Sequence, residues 1–81
     1  MKVKVLFFAG VRERTGVGQV EIDIPSATTV GGLRAKLAQL WPSVGPLLSR
    51  STLAVDERIA EDEVEIPADA VVAVVPPVSG G

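Results

Sequence analysis

The sequence contains no cysteine and no histidine among its 81 residues. The lack of cysteine excludes disulfide bonds and thiolate metal sites. The lack of histidine removes the commonest general base and metal ligand at neutral pH. The groups left for chemistry are therefore carboxylates, lysines, arginines, hydroxyls and the chain termini.

Net charge is small and long apolar runs are absent. The formal charge is −2, which argues against nucleic acid as the main partner. No segment reaches the roughly 18 consecutive apolar residues of a membrane span, and no cleavage-like site follows the short apolar stretch near the start. We therefore expect one small cytosolic domain that binds neither nucleic acid nor a membrane.

Apolar spacing predicts the order β-β-α-β-(β)-β. Alternation predicts strands over KVKVLFFA and QVEIDIP, paired as an antiparallel hairpin, with one helical turn before Gly16 between them. One clear helix follows, capped by Thr28 or Thr29. Its predicted buried stripe consists of Val30, Leu33, Leu37, Leu40 and Trp41.

The second half is expected to complete one sheet. SVGPLLSR is interpreted as a loop with a short turn of helix, TLAVD as a short strand, and the region around Ile59 as a further short strand. VVAVV is apolar on both faces, so we expect it to lie centrally and parallel to the first strand. The predicted fold class is α+β, a mixed sheet packed on one main helix.

An acidic segment precedes the last strand. Between residues 56 and 65 there are six carboxylates and one arginine. Their spacing does not match a calcium loop. A solvated surface is the preferred interpretation, one that could also help to orient an electropositive partner.

The sequence ends PPVSGG, with small residues directly after a predicted strand. Glycine has the smallest cross-section, so Ser79, Gly80 and Gly81 could thread into a narrow active site of another protein. The reactive group there would be the carboxylate of Gly81. We expect a domain over residues 1–75 and a flexible tail over residues 76–81; the alternative is an incidental disordered end.

KVLFFAGVRERTG, TVGGLRAKL and PPVSGG together resemble the small subunits of molybdopterin synthase, a family of ubiquitin-like sulfur carriers. The resemblance covers essentially the whole chain and implies a β-grasp fold. It implies that a ubiquitin-activating-like adenylyltransferase uses ATP to adenylate Gly81, and that a sulfur donor system then converts the carboxylate to a thiocarboxylate.

The resemblance also implies partners and a pathway. The large synthase subunit, in a heterotetramer, would use the sulfur to convert cyclic pyranopterin (precursor Z) into the molybdopterin dithiolene of molybdenum cofactor biosynthesis. Two loaded carriers would be consumed per dithiolene. Catalytic side chains would belong to the partners, so this chain would be a non-catalytic subunit without a bound metal or cofactor.

A docking patch is predicted around the start of the tail. Adjacent first and last strands would place Phe8 near Val75, and Ile59 is an isolated apolar residue in the acidic segment. The resemblance points to the same three positions as the hydrophobic partner contact, and Arg12 is a candidate at the rim.

Two other functions stay open. One is a related Gly-Gly carrier that serves thiazole or cysteine synthesis, tRNA thiolation or protein conjugation. The other is a ubiquitin-like interaction module without terminal chemistry. The sequence also departs from the family pattern: Asp56 replaces a common asparagine, and Asp69 to Val71 replace Gly-Asp-Glu.

Overall fold

Five strands form one sheet, and the helices pack against one of its faces. The computed structural model describes residues 1–77. The strands are β1 (Lys2–Phe7), β2 (Gln19–Asp23), β3 (Thr52–Val55), β4 (Arg58–Ala60) and β5 (Val71–Val75). The helices are α1 (Ala9–Thr15), α2 (Val30–Leu40) and α3 (Gly45–Arg50), with a 3-10 helix over Pro42–Val44.

The sheet has the strand order β2-β1-β5-β3-β4. β1 and β5 pair in parallel, and the other three pairs are antiparallel. The predicted hairpin of the first two strands and the central, parallel last strand are both confirmed. So is the α+β class with a mixed sheet.

Alternation along the strands sends one set of side chains into the core. Val3, Val5 and Phe7 of β1 are buried, as are Val72 and Val74 of β5. Successive residues of a strand point to opposite faces, so the intervening residues lie on the other face. We call the buried side the inner face and the opposite side the outer face.

Helix α2 covers the inner face. It begins after Thr29, whose hydroxyl accepts a hydrogen bond from the N–H of Gly32 at 3.1 Å. This satisfies one of the free amides of the first turn and confirms the threonine cap. Val30, Leu33 and Leu37 are fully buried, as predicted.

The prediction that Leu40 is buried at the far end of the stripe is wrong, because Leu40 is 46% exposed. The 3-10 helix and α3 contact this end of α2, and their Val44, Leu47 and Leu48 fill the core beside it. Trp41 is partly buried and meets Phe7 edge-on, with ring centroids 5.3 Å apart.

Two connections are more helical than predicted. The segment before Gly16 forms the seven-residue helix α1 and not one turn; it ends at Gly16, where φ is +73°. SVGPLLSR forms a 3-10 helix and then α3. Both contribute core residues, Val11 from α1 and Leu48 from α3 among them. No helix within residues 1–77 is long and apolar enough to cross a membrane.

Arg34 joins three parts of the chain. Its guanidinium donates to the carbonyl oxygens of Leu48 and Ser51, the latter at 2.7 Å. It also forms an ion pair with Asp62 at 3.0 Å. Arg34 lies outside the predicted buried stripe, but its side chain is largely covered and ties α2 to α3, to the residue before β3 and to the acidic segment.

A two-residue turn, Asp56-Glu57, joins β3 to β4. Both residues have positive φ, +49° and +71°, as a type I′ turn requires. Asp56 also binds the start of β5, because its carboxylate accepts from the N–H of Val71 at 3.0 Å and its own N–H donates to the carbonyl of Val71 at 2.9 Å.

Two leucines of α2 provide a matched test of the core. Leu37→Ala should lower the free energy of unfolding by roughly 2–5 kcal/mol, because Leu37 has no exposed surface. Leu40→Ala should change it by less than about 0.5 kcal/mol. Urea denaturation of both variants measures the difference, and equal losses would contradict the assigned inner side of α2.

The β3–β4 turn provides a test of backbone strain. Glu57→Gly should raise the free energy of unfolding by about 1 kcal/mol, because a left-handed conformation costs a residue with a Cβ roughly 1–2 kcal/mol. Glu63→Gly is the control: it removes the same charge from an exposed turn residue whose φ is not positive. The melting temperatures of the two variants should shift in opposite directions. A lower melting temperature for Glu57→Gly would contradict the proposed backbone strain at Glu57.

Candidate docking site

The outer face of the sheet is apolar at its centre. Leu6, Ala73, Ala54 and Ile59 stand directly opposite one another in successive strands β1, β5, β3 and β4. Directly paired residues share a face, so these four side chains form one row across the sheet. Val71 and Val75, both exposed, lie on the same face of β5, on either side of Ala73.

Two adjacent phenylalanines lie on opposite sides of the sheet, one in the core and one on the outer face. Phe7 is 1% exposed, whereas Phe8 is 44% exposed. Phe8 has extended backbone angles and is the N-cap residue of α1. Because Phe7 pairs with Val74, the next residue along each strand places Phe8 beside Val75.

Phe8 and Val75 line an open groove of about 480 Å³, together with Ala9, Gly10, Arg14, Leu47, Pro76 and Pro77. We call this the exit groove, since the chain leaves β5 along it. The predicted proximity of Phe8 and Val75 is present in the structure. An aromatic ring beside an aliphatic side chain in an open groove is suited to an apolar side chain of a partner.

Ile59 lies on the same face but at its far edge. It is 80% exposed and belongs to the edge strand β4, two strands from β5. Neighbouring strands are roughly 4.8 Å apart, so Ile59 is about 10 Å from β5. Ala73 and Ala54 lie between, and their small side chains leave a shallow apolar surface. The structure therefore places the three predicted contact residues on one face but not in one cluster.

The arginine in the exit groove is Arg14. Arg12 lines a different hollow with Ala9, Glu13 and Gly16, and its guanidinium lies against Gly18. Its role as a rim contact stays a prediction. Arg14 is missed by the sequence reasoning, although its spacing of four from Gly10 on one short helix puts both on the same side.

Charged residues surround the apolar centre of the outer face. Lys2 and Lys4 of β1 are paired with Asp23 and Glu21 of β2, so opposite charges face each other there. The turn residues Asp56 and Glu57 border a hollow with Leu6, Val71 and Ala73. The face therefore has mixed charges beside β2 and only negative charge at the β3–β4 turn.

Pro76 is buried against the domain and Pro77 is exposed. The predicted tail residues Ser79, Gly80 and Gly81 lie outside the described residues. The predicted boundary between residues 75 and 76 stays a prediction, as do the roles of the three terminal residues.

Within residues 1–77, the acidic segment forms one ion pair. Asp62 is paired with Arg34, and its neighbours in the segment are exposed. Within residues 1–77, no three acidic side chains are grouped so that they could hold a metal ion. Gly31 packs closely against this segment: a Cβ there would lie 3.1 Å from that of Asp62.

The two departures from the family pattern fall at positions of unusual backbone. Asp56 has φ +49° and Asp69 has φ +60°. Aspartate tolerates this region better than most residues. An asparagine at position 56 could accept the bond from Val71 equally well, and a glycine at position 69 would relieve strain. Both substitutions therefore keep the same turns.

The sequence model of the ThiS family matches residues 5–81. The chain belongs to the ThiS family. It is 38% identical over 81 residues to the molybdopterin synthase sulfur carrier subunit of Dictyostelium discoideum, a match covering 96% of this chain and 94% of that relative.

Solved structures share the fold. The chain resembles SAMP1 from Haloferax volcanii with a TM-score of 0.86 and 25% identity, over 100% of both chains. It also resembles a chain in the complex of subunits 1 and 2 of the molybdopterin-converting factor from Helicobacter pylori, with a TM-score of 0.71 and 22% identity over 100% of both chains, a likeness of fold alone. The predicted β-grasp fold is confirmed.

Proposed function

We propose that this chain is a sulfur carrier, the non-catalytic small subunit of a molybdopterin synthase. The Dictyostelium relative has that name and matches nearly the whole chain. The structural observation that supports the role is the exit groove, where exposed Phe8 and Val75 flank Pro76 and Pro77. An apolar contact lies beside the point from which residues 78–81 continue.

The proposed chemistry takes place at the carboxylate of Gly81. A carboxylate is a poor electrophile, so an ATP-dependent adenylyltransferase first joins it to AMP and releases pyrophosphate. A persulfide of the sulfur donor then attacks the acyl carbon, AMP leaves, and an acyl disulfide forms. A second thiol of the donor system reduces this bond, which releases the thiocarboxylate and leaves a disulfide on the donor. ATP is thus a substrate of the partner and is not bound by this chain.

The large subunit is the proposed acceptor of the loaded tail. The thiocarboxylate enters its active site and transfers sulfur to cyclic pyranopterin, and two loaded carriers supply the two sulfurs of each dithiolene. A tail without bulky side chains suits a narrow channel, and two prolines before it limit the conformations to be ordered on binding.

One docking surface serves two partners in this proposal. The outer face, with Phe8 and Val75 at one end and Ile59 at the other, contacts the adenylyltransferase during loading and the large subunit during sulfur transfer. The two complexes are therefore mutually exclusive. Phe8 is the strongest anchor, because exposed aromatic residues that become buried at an interface often contribute most to affinity.

Deletion of Gly81, or addition of one residue after it, should abolish loading. The reason is that the reactive carboxylate then stands at the wrong distance from the fold. Intact mass after incubation with ATP, the adenylyltransferase and a sulfur donor measures the exchange of one oxygen for sulfur. Thermal melts serve as the control for folding, and an extended chain that gains sulfur without being trimmed would disprove the role of Gly81.

Phe8→Ala should weaken binding to the large subunit by roughly thirtyfold, equivalent to about 2 kcal/mol. Titration calorimetry measures the affinity. The fold should be retained, because the ring of Phe8 is largely outside the core.

Leu40→Ala is the matched control, since Leu40 is exposed to a similar extent but belongs to α2 on the inner side. The Leu40→Ala variant should bind the large subunit with the same affinity as the unchanged chain. Unaltered binding by Phe8→Ala, or loss of its fold, would contradict the proposed anchor while leaving the test of Gly81 unaffected.

A further inference from the structure

A second groove lies along the free edge of β4. It has a volume of about 600 Å³. Half of its lining residues are apolar: Val55, Ile59, Ala60, Val64 and Pro67. Two of these side chains, Ile59 and Val64, are among the most exposed large apolar residues in the described part of the chain. We call this the β4 groove.

Carboxylates form the rim of the β4 groove. Asp56, Glu61, Glu63 and Glu65 line it, and Arg58 is the single cation among the lining residues. None of these four carboxylates forms an ion pair within residues 1–77. The acidic residue of this segment that does form one is Asp62, with Arg34. The groove therefore combines exposed apolar surface with a net charge of −3 from its five charged lining residues.

The fold does not require the carboxylates of Glu61 and Glu63. Asp62 and the backbone of residues 62, 64 and 66 attach the acidic segment to α2 and to Thr28, through Arg34 and through bonds such as Val30 N–H to the Val64 carbonyl at 2.9 Å. The rim carboxylates of Glu61 and Glu63 take no part in those bonds. Like charges along one edge repel each other, and a cationic partner would relieve that repulsion.

We propose that the β4 groove binds a short basic segment of a partner protein, one with apolar side chains flanked by arginine or lysine. The apolar side chains would cover Ile59 and Val64, and the cations would reach the rim carboxylates. Charge complementarity selects this occupant over an acidic or neutral one. The groove shares Ile59 with the outer face but none of the residues of the exit groove. Binding there needs no chemistry at Gly81, so it can be tested without sulfur transfer.

The test uses the full chain, labelled with ¹⁵N, and an acetylated, amidated heptapeptide of sequence RRLVLRR. Amide shifts should change mainly over residues 55–67. Raising the salt from low to about 0.5 M should weaken binding several-fold, because exposed charges are screened. The peptides EELVLEE and RRSGSRR, which lack the cations or the apolar residues, should each bind at least tenfold more weakly.

Matched variants locate the site. The pair Glu61→Gln with Glu63→Gln should weaken RRLVLRR by roughly three- to tenfold, in the range of two exposed ion pairs. Glu21→Gln with Asp23→Asn removes the same charge from β2, at the other edge of the sheet, and should leave the affinity unchanged. Val64→Ser should weaken binding without unfolding, since the bond to Val30 uses only the backbone of residue 64.

Several results would overturn the proposal. These are shifts centred on Phe8 and Val75, equal binding of EELVLEE, equal losses in the β2 and rim variants, and unaltered binding by Val64→Ser. Equal losses in the two charge variants would mean attraction to the whole acidic surface and not to a groove. A failed loading of Gly81 would leave this result unchanged, so the two proposals are tested separately.

Discussion

The parallel pairing of β1 with β5 is the constraint on which the rest of the structure depends. The two strands lie next to each other near the middle of the sheet. Because they are parallel, the chain between them must cross from one end of the sheet to the other before β5 begins. That path is the crossover in which α2 covers the inner face. The same pairing sets Phe8 beside Val75, so the core and the proposed docking surface follow from one register. Shifting it by one residue would exchange the two faces.

Two polar residues, Arg34 and Asp56, link parts of the chain outside the β1–β5 pair. Arg34 binds the end of α3, the start of β3 and the acidic segment, three places that the sheet itself does not connect. Asp56 binds both the N–H and the carbonyl of Val71, and so fixes the start of β5 against the β3–β4 turn. Both contacts use groups that would otherwise be left without partners as the chain packs together.

Period-two alternation is sufficient to predict β1 and β2, because burial of one face leaves a direct pattern. A continuous apolar run is sufficient to predict the central β5. The proximity of Phe8 and Val75 followed from the crossover alone. The burial of Leu40 is predicted wrongly because it depends on how residues 42–48 pack against α2. The apolar spacing within α2 carries no information about that packing. Arg34 was missed as a link since its carboxylate partner is 28 positions away. Arg14 was passed over for Arg12 because the direction of α1 depends on the backbone at Ala9, where φ is +47°.

The central place of β5 has a consequence for the order in which the molecule is made. β5 is synthesised after every other strand, yet β1 and β3 both pair with it. Before β5 is available, the only strand pairs of this sheet that can form are β1–β2 and β3–β4, which are not joined to each other. Distant pairings of this kind form late because a long loop must close first. A chain in which Phe8 and Val75 lie side by side has therefore already completed its sheet, and a partner that contacts both residues selects finished molecules.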